Sequence, residues 1–228
     1  PVLKVDVAII RGTSADPQGN ISVEHEPASL GIFYLALAAK QSGGTVIAQV
    51  KQRVGLGDVH PRLTVVPGRL VDALVVDPAQ PQSVVGEHPE FSGEARIWLQ
   101  PNPVPLTIES AIARRAMQEL RDGQLVNLGY GVPALIPALG FPQRMHERVA
   151  YSIEHGPVGG LPEGMDGFGA AANPDILLDS TTVFDMYDGG LLDVTILGMA
   201  QVDQEGNVNV SKFAHMAPGS GGFANICH

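Results

Sequence analysis

An ungapped internal repeat constrains this chain more than any other feature. Asp6-Val7-Ala8-Ile9-Ile10 followed by Asp16-Pro17-Gln18-Gly19-Asn20-Ile21 recurs as Asp193-Val194-Thr195-Ile196-Leu197 followed by Asp203-Gln204-Glu205-Gly206-Asn207-Val208. The offset between the copies is the same at every matched position, and six positions are identical. Each copy reads as a buried apolar strand, a D-x-x-G-N turn and a second short strand. Gly and Asn suit such a turn because both tolerate positive φ. The copies stand at opposite ends of the chain, a period far too long for a stacked solenoid. The spacing predicts two homologous open α/β halves.

Past the first copy, Pro27–Gln41 reads as an Ala/Leu-rich helix, Ser42-Gly43-Gly44 as a turn and Thr45–Val50 as a strand. Val65–Pro67 and Leu70–Asp77 read as two more short strands. The second copy meets His228 before its equivalent helix, and the chain opens at Pro1 without an initiator Met, so a fragment or processed chain is expected. The predicted organisation is the end of an N-terminal α/β half over 1–77, incomplete at its front, a Pro- and Gly-rich linker over 78–105, and a C-terminal α/β half over 106–228, truncated at its end. In the latter, Thr107 caps a helix predicted over Ile108–Leu120, with Ile108, Ile112, Ala116 and Leu120 as its apolar stripe.

Composition narrows the function. Lys+Arg number 14 against 24 Asp+Glu, a net charge of −10, and aromatic residues are 5%. That argues against a nucleic-acid partner, but leaves room for a small anion held by backbone amides. A single cysteine, Cys227, excludes an internal disulfide framework and a Cys-based zinc site, and fits a reducing, cytoplasmic setting. No apolar run is long enough for a membrane span, and the first residues do not read as a signal peptide. The seven histidines form no H-x-x-x-H or H-E-x-x-H set, so no metal site is expected. G-x-S-x-G, GxGxxG and G-K-[ST] are absent as well.

Three segments carry candidate chemistry. The strand Gln124–Leu128 runs into Gly129-Tyr130-Gly131-Val132-Pro133 and a helix, which lets backbone approach a ligand or simply packs strand on helix. The strand Val149–Ile153 delivers Glu154 into His155-Gly156-Pro157-Val158-Gly159-Gly160. Ligands of open α/β sheets sit off the carboxyl ends of strands, yet a glutamate there also caps helices or pairs with arginine; the residues alone leave both open. Pro218-Gly219-Ser220-Gly221-Gly222-Phe223 offers backbone donors for an oxyanion, or a flexible loop. His155, next to Glu154, points to the opposite face of the strand, as a packing or substrate-wall residue.

Taken together, these residues resemble family I CoA-transferases. Asn127-Leu128-Gly129-Tyr130-Gly131-Val132-Pro133 is similar to that family's N-L-G-I-G-I-P segment, and Glu154-His155-Gly156 to its E-[SN]-G segment, with His155 in place of Ser or Asn. Asp188-Gly189-Gly190, Asp203 to Ser211 and Gly219 to Ile226 resemble the downstream D-G-G, D-x-E-G-N-V-N-V-S and G-x-G-G-F-x-N-I segments. The likeness spans the chain and is strongest from Leu106 onward, toward the single-chain acetate/propionate or acetoacetate type. It implies that Glu154 is the catalytic nucleophile, carrying CoA as a glutamyl-CoA thioester. Gly221 and Gly222 become the candidate oxyanion donors, with Gly129, Gly131, Gly156 and Asn127 as further oxyanion or CoA contacts. It further implies acyl-CoA and small carboxylic acids as partners, CoA as substrate with no permanently bound cofactor, and a homo-oligomer in which the rest of the polypeptide supplies the segments expected to be missing. An acyl-CoA hydrolase on the same scaffold and a non-catalytic CoA-binding fragment are the alternatives.

Overall fold

A computed structural model describes residues 3–227. It contains two five-stranded mixed sheets. The first is built from β1 (Val7–Ala15), β2 (Ile21–Ser22), β3 (Thr45–Arg53), β4 (Thr64–Val66) and β5 (Ala73–Val76), in the order β4-β2-β1-β3-β5. The strands β1, β3 and β5 run parallel, while β2 is antiparallel to β1 and β4. The period-two alternation of a strand puts Ala8 and Ile10 of β1 inside and leaves Val7 and Ile9 outside. Onto the inner face packs α1 (Ile32–Gln41), whose Ile32, Ala36 and Ala39 meet Val46, Ala48 and Val50. Alanine on both surfaces lets the helix lie close to the sheet.

The helix starts later than Pro27. Leu30 and Gly31 both hold positive φ, 53° and 69°. That backbone lies outside the right-handed helical region, so residues 27–31 form a loop before the first helical turn.

The remainder contains α2 (Pro89–Ser92), α3 (Ile108–Met117), β6 (Leu125–Leu128), α4 (Ile136–Gly140), β7 (Ala150–Ser152), β8 (Pro157–Val158), β9 (Leu161–Pro162), β10 (Ala171–Ala172), β11 (Ile176–Leu177), α5 (Ser180–Met186), β12 (Val194–Ile196), β13 (Gln201–Val202), β14 (Val208–Asn209) and α6 (Phe223–Ile226). The second sheet has the order β11-β8-β7-β6-β12, with β6, β7 and β12 parallel. Short two-stranded ladders pair β9 with β10 and β13 with β14. Among the described residues no helix is long and apolar enough to cross a membrane.

The two copies of the repeat fold alike down to single hydrogen bonds. Asp16 Oδ1 accepts from the amides of Gln18 and Asn20, and Asn20 Nδ2 donates to Asp16 Oδ2 at 2.8 Å. Asp203 Oδ1 accepts from Glu205 and Asn207, and Asn207 Nδ2 donates to Asp203 Oδ2 at 2.9 Å. Gly19 and Gly206 stand at φ 82° and 85°, where a side chain would be strained.

One expectation holds only in part at α3. Thr107 caps it through a capping box with Ser110, satisfying two amide donors reciprocally, but the helix ends at Met117, and of the expected stripe only Leu120 is buried, with Ala116 packed against the core. Ser110, Ala113 and Met117 face inward, whereas Ile108 and Ile112 are 77% and 55% exposed. The small side chain of Ala113 permits close packing with α4 and the 132–135 turn, and that contact sets the rotation of the helix.

Residues 78–105 run between the sheets as packed chain. Arg11 Nη2 donates to the carbonyls of Pro81 and Gln82, and Gln80 and Gln82 are buried. Phe91 of α2, 2% exposed, packs against Ala170 and Ala172.

Candidate active site

The centre of the second sheet carries a polar row. The β ladder places Ser152 of β7 beside Asn127 of β6, and Asn127 beside Thr195 of β12. Asn127 and Ser152 are completely buried, among strands that are otherwise apolar. A buried amide or hydroxyl is costly without partners, and here each has one. Thr195 Oγ1 donates to Asn127 Oδ1 at 3.0 Å, which orients the amide. Asn127 Nδ2 then faces Tyr187 Oη at 3.2 Å and Glu154 Oε2 at 3.1 Å. Ser152 Oγ lies 2.8 Å from Tyr187 Oη and closes the network. Burial pushes the Tyr187 hydroxyl pKa up, and the Glu154 charge adds to that shift. Both disfavour the phenolate, so the phenol keeps its proton.

Glu154 leaves the sheet just past β7. Behind it, the Gly156 amide donates to the Ile153 carbonyl at 3.0 Å, and the Gly156 carbonyl accepts from Leu178. A Cβ on Gly156 would stand 2.5 Å from the Leu178 carbonyl oxygen. Gly156 therefore turns the chain; its amide is engaged and it does not line the cleft.

The carboxylate opens into a cleft of about 540 Å³ whose walls include Gly131, Leu197 and the 218–223 loop. The other glycines divide by role. The Gly129 amide is bonded to the Ile196 carbonyl at 2.9 Å, and a Cβ there would approach Leu197 Cδ2 to 3.0 Å. Gly129 thus permits close packing and is not a free donor. The amides of Gly131, Gly221 and Gly222 bond no acceptor among the described residues. Gly131 and Gly221 hold positive φ, 88° and 55°. Gly222 passes so near the acid that a Cβ on it would lie 3.7 Å from Glu154 Oε1. Among the described residues no Lys, Arg or His forms an ion pair with Glu154.

The arrangement therefore has a carboxylate with one oxygen hydrogen-bonded and the other facing a glycine loop. It suits nucleophilic attack on a carbonyl brought in from the cleft. His155 points away, against Phe168. Ser152, Tyr187 and Thr195 escaped the sequence reading. Thr195 did leave a trace: it stands where the first repeat copy has Ala8, a polar residue in a strand position that is otherwise apolar.

Comparison with known proteins follows the same line. Residues 1–77 match the family model described as Coenzyme A transferase. Caffeate CoA-transferase of Acetobacterium woodii is 41% identical over 235 residues, covering 98% of this chain and 44% of that protein. Acetate CoA-transferase YdiF of Escherichia coli K12 is 37% identical over 224 residues, covering 97% and 42%. The crystal structure of the acyl-CoA transferase YdiF from E. coli O157:H7, as a thioester complex with CoA, superposes with a TM-score of 0.85 at 35% identity, covering 98% of this chain and 42% of that one. The chain thus spans under half the length of these relatives.

Proposed function

Because the chain belongs to the coenzyme A transferase family, we propose that Glu154 is the nucleophile of an enzyme that moves CoA from an acyl-CoA to a carboxylic acid. The observation that carries this is the Glu154 carboxylate itself: unpaired with any cation among the described residues, oriented by Asn127 and set against Gly222.

A Glu154 oxygen attacks the thioester carbonyl. The new C–O bond forms, the C–S bond breaks, CoA leaves as thiolate, and an acyl-glutamyl anhydride remains. The thiolate then attacks the glutamyl carbonyl, forming a C–S bond and expelling the original acid as carboxylate. The glutamyl-CoA thioester is attacked by the acceptor carboxylate, and the same two steps run in reverse. No net proton is taken up, and the thioester energy is conserved rather than lost to water. Each addition creates an oxyanion. The free amides of Gly221 and Gly222, and that of Gly131 across the cleft, are the donors we assign to it. Asn127 orients the carboxylate, and Tyr187 supports Asn127.

Acids in the class of the acetate and caffeate named for the relatives are the acceptors we expect. CoA enters as substrate, and the intact enzyme is expected to be a homo-oligomer. The test is to incubate the intact enzyme with acyl-CoA, treat it with borohydride or hydroxylamine, and map modification by mass spectrometry. Modification of Glu154 is the expected result. An unmodified Glu154 in an enzyme that still transfers CoA would defeat the reading, and thioester loss to water with no transfer to added acetate would mark a hydrolase instead.

A further inference from the structure

The 78–105 segment is fastened to the β9–β10 hairpin at several points. Phe91 of α2 packs on Ala170 and Ala172. The Asn173 amide donates to the Glu90 carbonyl at 3.0 Å, and Ile97 exchanges two hydrogen bonds with the Asn173 side chain, at 2.9 and 2.8 Å. The hairpin so held carries Phe168, which lines the Glu154 cleft. One further contact at this seam depends on a proton.

His88 stands directly before α2. Its Nδ1 lies 3.1 Å from Glu90 Oε1 and its Nε2 lies 3.2 Å from the Val85 carbonyl oxygen. A carboxylate and a carbonyl only accept hydrogen bonds, and a neutral imidazole donates from one nitrogen alone. Both bonds are therefore made at once only by the imidazolium. Its ring also stacks on Phe91, centroids 4.6 Å apart at 23°, and an aromatic face attracts a cation. Across the seam Glu163 follows β9, half-buried, and acts on His88 through its charge. Glu90 and Glu163 both line a cavity of about 430 Å³, and its other lining residues carry no charge. The remaining charged groups of the two elements are engaged elsewhere. Glu87 pairs with Lys51 at 3.0 Å, Glu94 with His25 at 2.6 Å and Arg96 with Asp175 at 3.6 Å, while Asp166 lines a different cavity.

Burial lowers the His88 pKa, but the bonds to Glu90 and Val85 and the charges of Glu90 and Glu163 outweigh it and hold the value above the ordinary one. Burial also pushes Glu163 up; the His88 charge opposes that shift and the Glu90 charge adds to it. We propose that His88 is a proton-operated latch between the 78–105 segment and the β9–β10 hairpin. Charged, it holds Glu90 and the Val85 carbonyl together and offsets Glu163. Neutral, it keeps one of its two bonds, and the two carboxylates that share the cavity lose their cation. Because the folded pKa exceeds the unfolded value of about 6.5, the latch is fully held below that pH and is lost as pH rises through the folded value. Its release loosens the hairpin that carries Phe168, and so ties the wall of the cleft to proton concentration. None of this requires Glu154 to be the nucleophile.

The test is amide hydrogen exchange of the intact enzyme, read by mass spectrometry at about pH 6 and about pH 9 and corrected for the intrinsic rate at each pH. Protection over 88–97 and 161–173 is expected to fall roughly threefold or more at the higher pH, while β1 and β3 keep theirs. In His88→Gln, which is neutral throughout, the fall is expected to vanish. In Glu163→Gln, which removes one of the two carboxylates, it is expected to shrink. A smaller fall in the wild type overturns the proposal, and so does a fall of wild-type size in either variant. The wild-type series decides by itself where a variant does not fold. Exchange is read without substrate, so failure of the latch and failure of the transferase reading are told apart.

Discussion

Asn127 Nδ2 lies 3.1 Å from Glu154 Oε2, and Asn127 is itself wholly buried and held through its Oδ1 by Thr195. The nucleophile is thus oriented by a buried side chain that the neighbouring strand pins. Removing that donor in Asn127→Ala is expected to lower kcat by roughly 10²–10³, the range seen when a preorganised donor is lost. Asn127→Asp tests charge separately. A second carboxylate facing Glu154 raises the pKa of the pair, so the acid limb of the kcat/KM profile should move to higher pH. A pH–rate profile of both variants checks this.

Gly222 limits what can stand beside the nucleophile. A Cβ there would fall 2.8 Å from Ile226 Cδ1 and 3.7 Å from Glu154 Oε1. Its φ of −75° is open to any residue, so the objection is space and not backbone strain. Gly222→Ala is expected to lose about 10²-fold in kcat, the scale of a roughly 1 Å misplacement, with little change in Tm. Steady-state kinetics beside a thermal melt separates the two effects.

Asp179 ties the start of α5 to the loop before α1. It caps α5 through the Thr181 amide and reaches across to Ser29 Oγ at 2.8 Å and the Gly31 amide at 3.1 Å. Burial pushes its pKa up, but the hydrogen bonds from Thr181, Ser29 and Gly31 outweigh this and hold it below the usual carboxylate value. Bonds to the charged form always act in that direction. Its stabilisation is therefore present above the unfolded pKa of about 3.9 and is lost as pH falls through the lower folded value. Asp179→Ala should cost about 1 kcal/mol for the cap alone at neutral pH. Denaturant titrations should show that deficit constant from pH 7 to 5 and shrinking below pH 4.

Tyr151 points the opposite way. It is 1% exposed and its hydroxyl has no partner among the described residues. Burial pushes its pKa up strongly, so it stays neutral. An unpaired buried hydroxyl costs about 1–3 kcal/mol. Tyr151→Phe removes that hydroxyl and is expected to stabilise the fold by about 1 kcal/mol, read as a higher denaturant midpoint at unchanged m-value.

Glu154→Ala is expected to abolish transfer, and Glu154→Asp to lose most of it, because the carboxylate retreats by one methylene from an attack that is sensitive to position. Transfer assays with the folded variants check both.

What the residues alone determined was local. The D-x-x-G-N turns, the strands that precede them, the cap at Thr107 and the delivery of Glu154 from a strand into glycines all depend on φ preference and hydrogen bonds within a few residues. Such features are written in consecutive residues, and the repeat shows them twice. Tertiary structure decided the rest. Ile108 and Ile112 face outward because Ala113 and Met117 turn into the core beneath α4, a neighbour that no periodicity reveals. The turn at Gly156, with its amide engaged by Ile153, shows only once β8 and β11 have paired and Leu178, just past β11, closes on it. Ser152, Asn127, Thr195 and Tyr187 become one network only when three strands and the end of a helix converge. The pairing register of distant strands is a property of the whole sheet, so a site assembled across it is invisible until the sheet has formed.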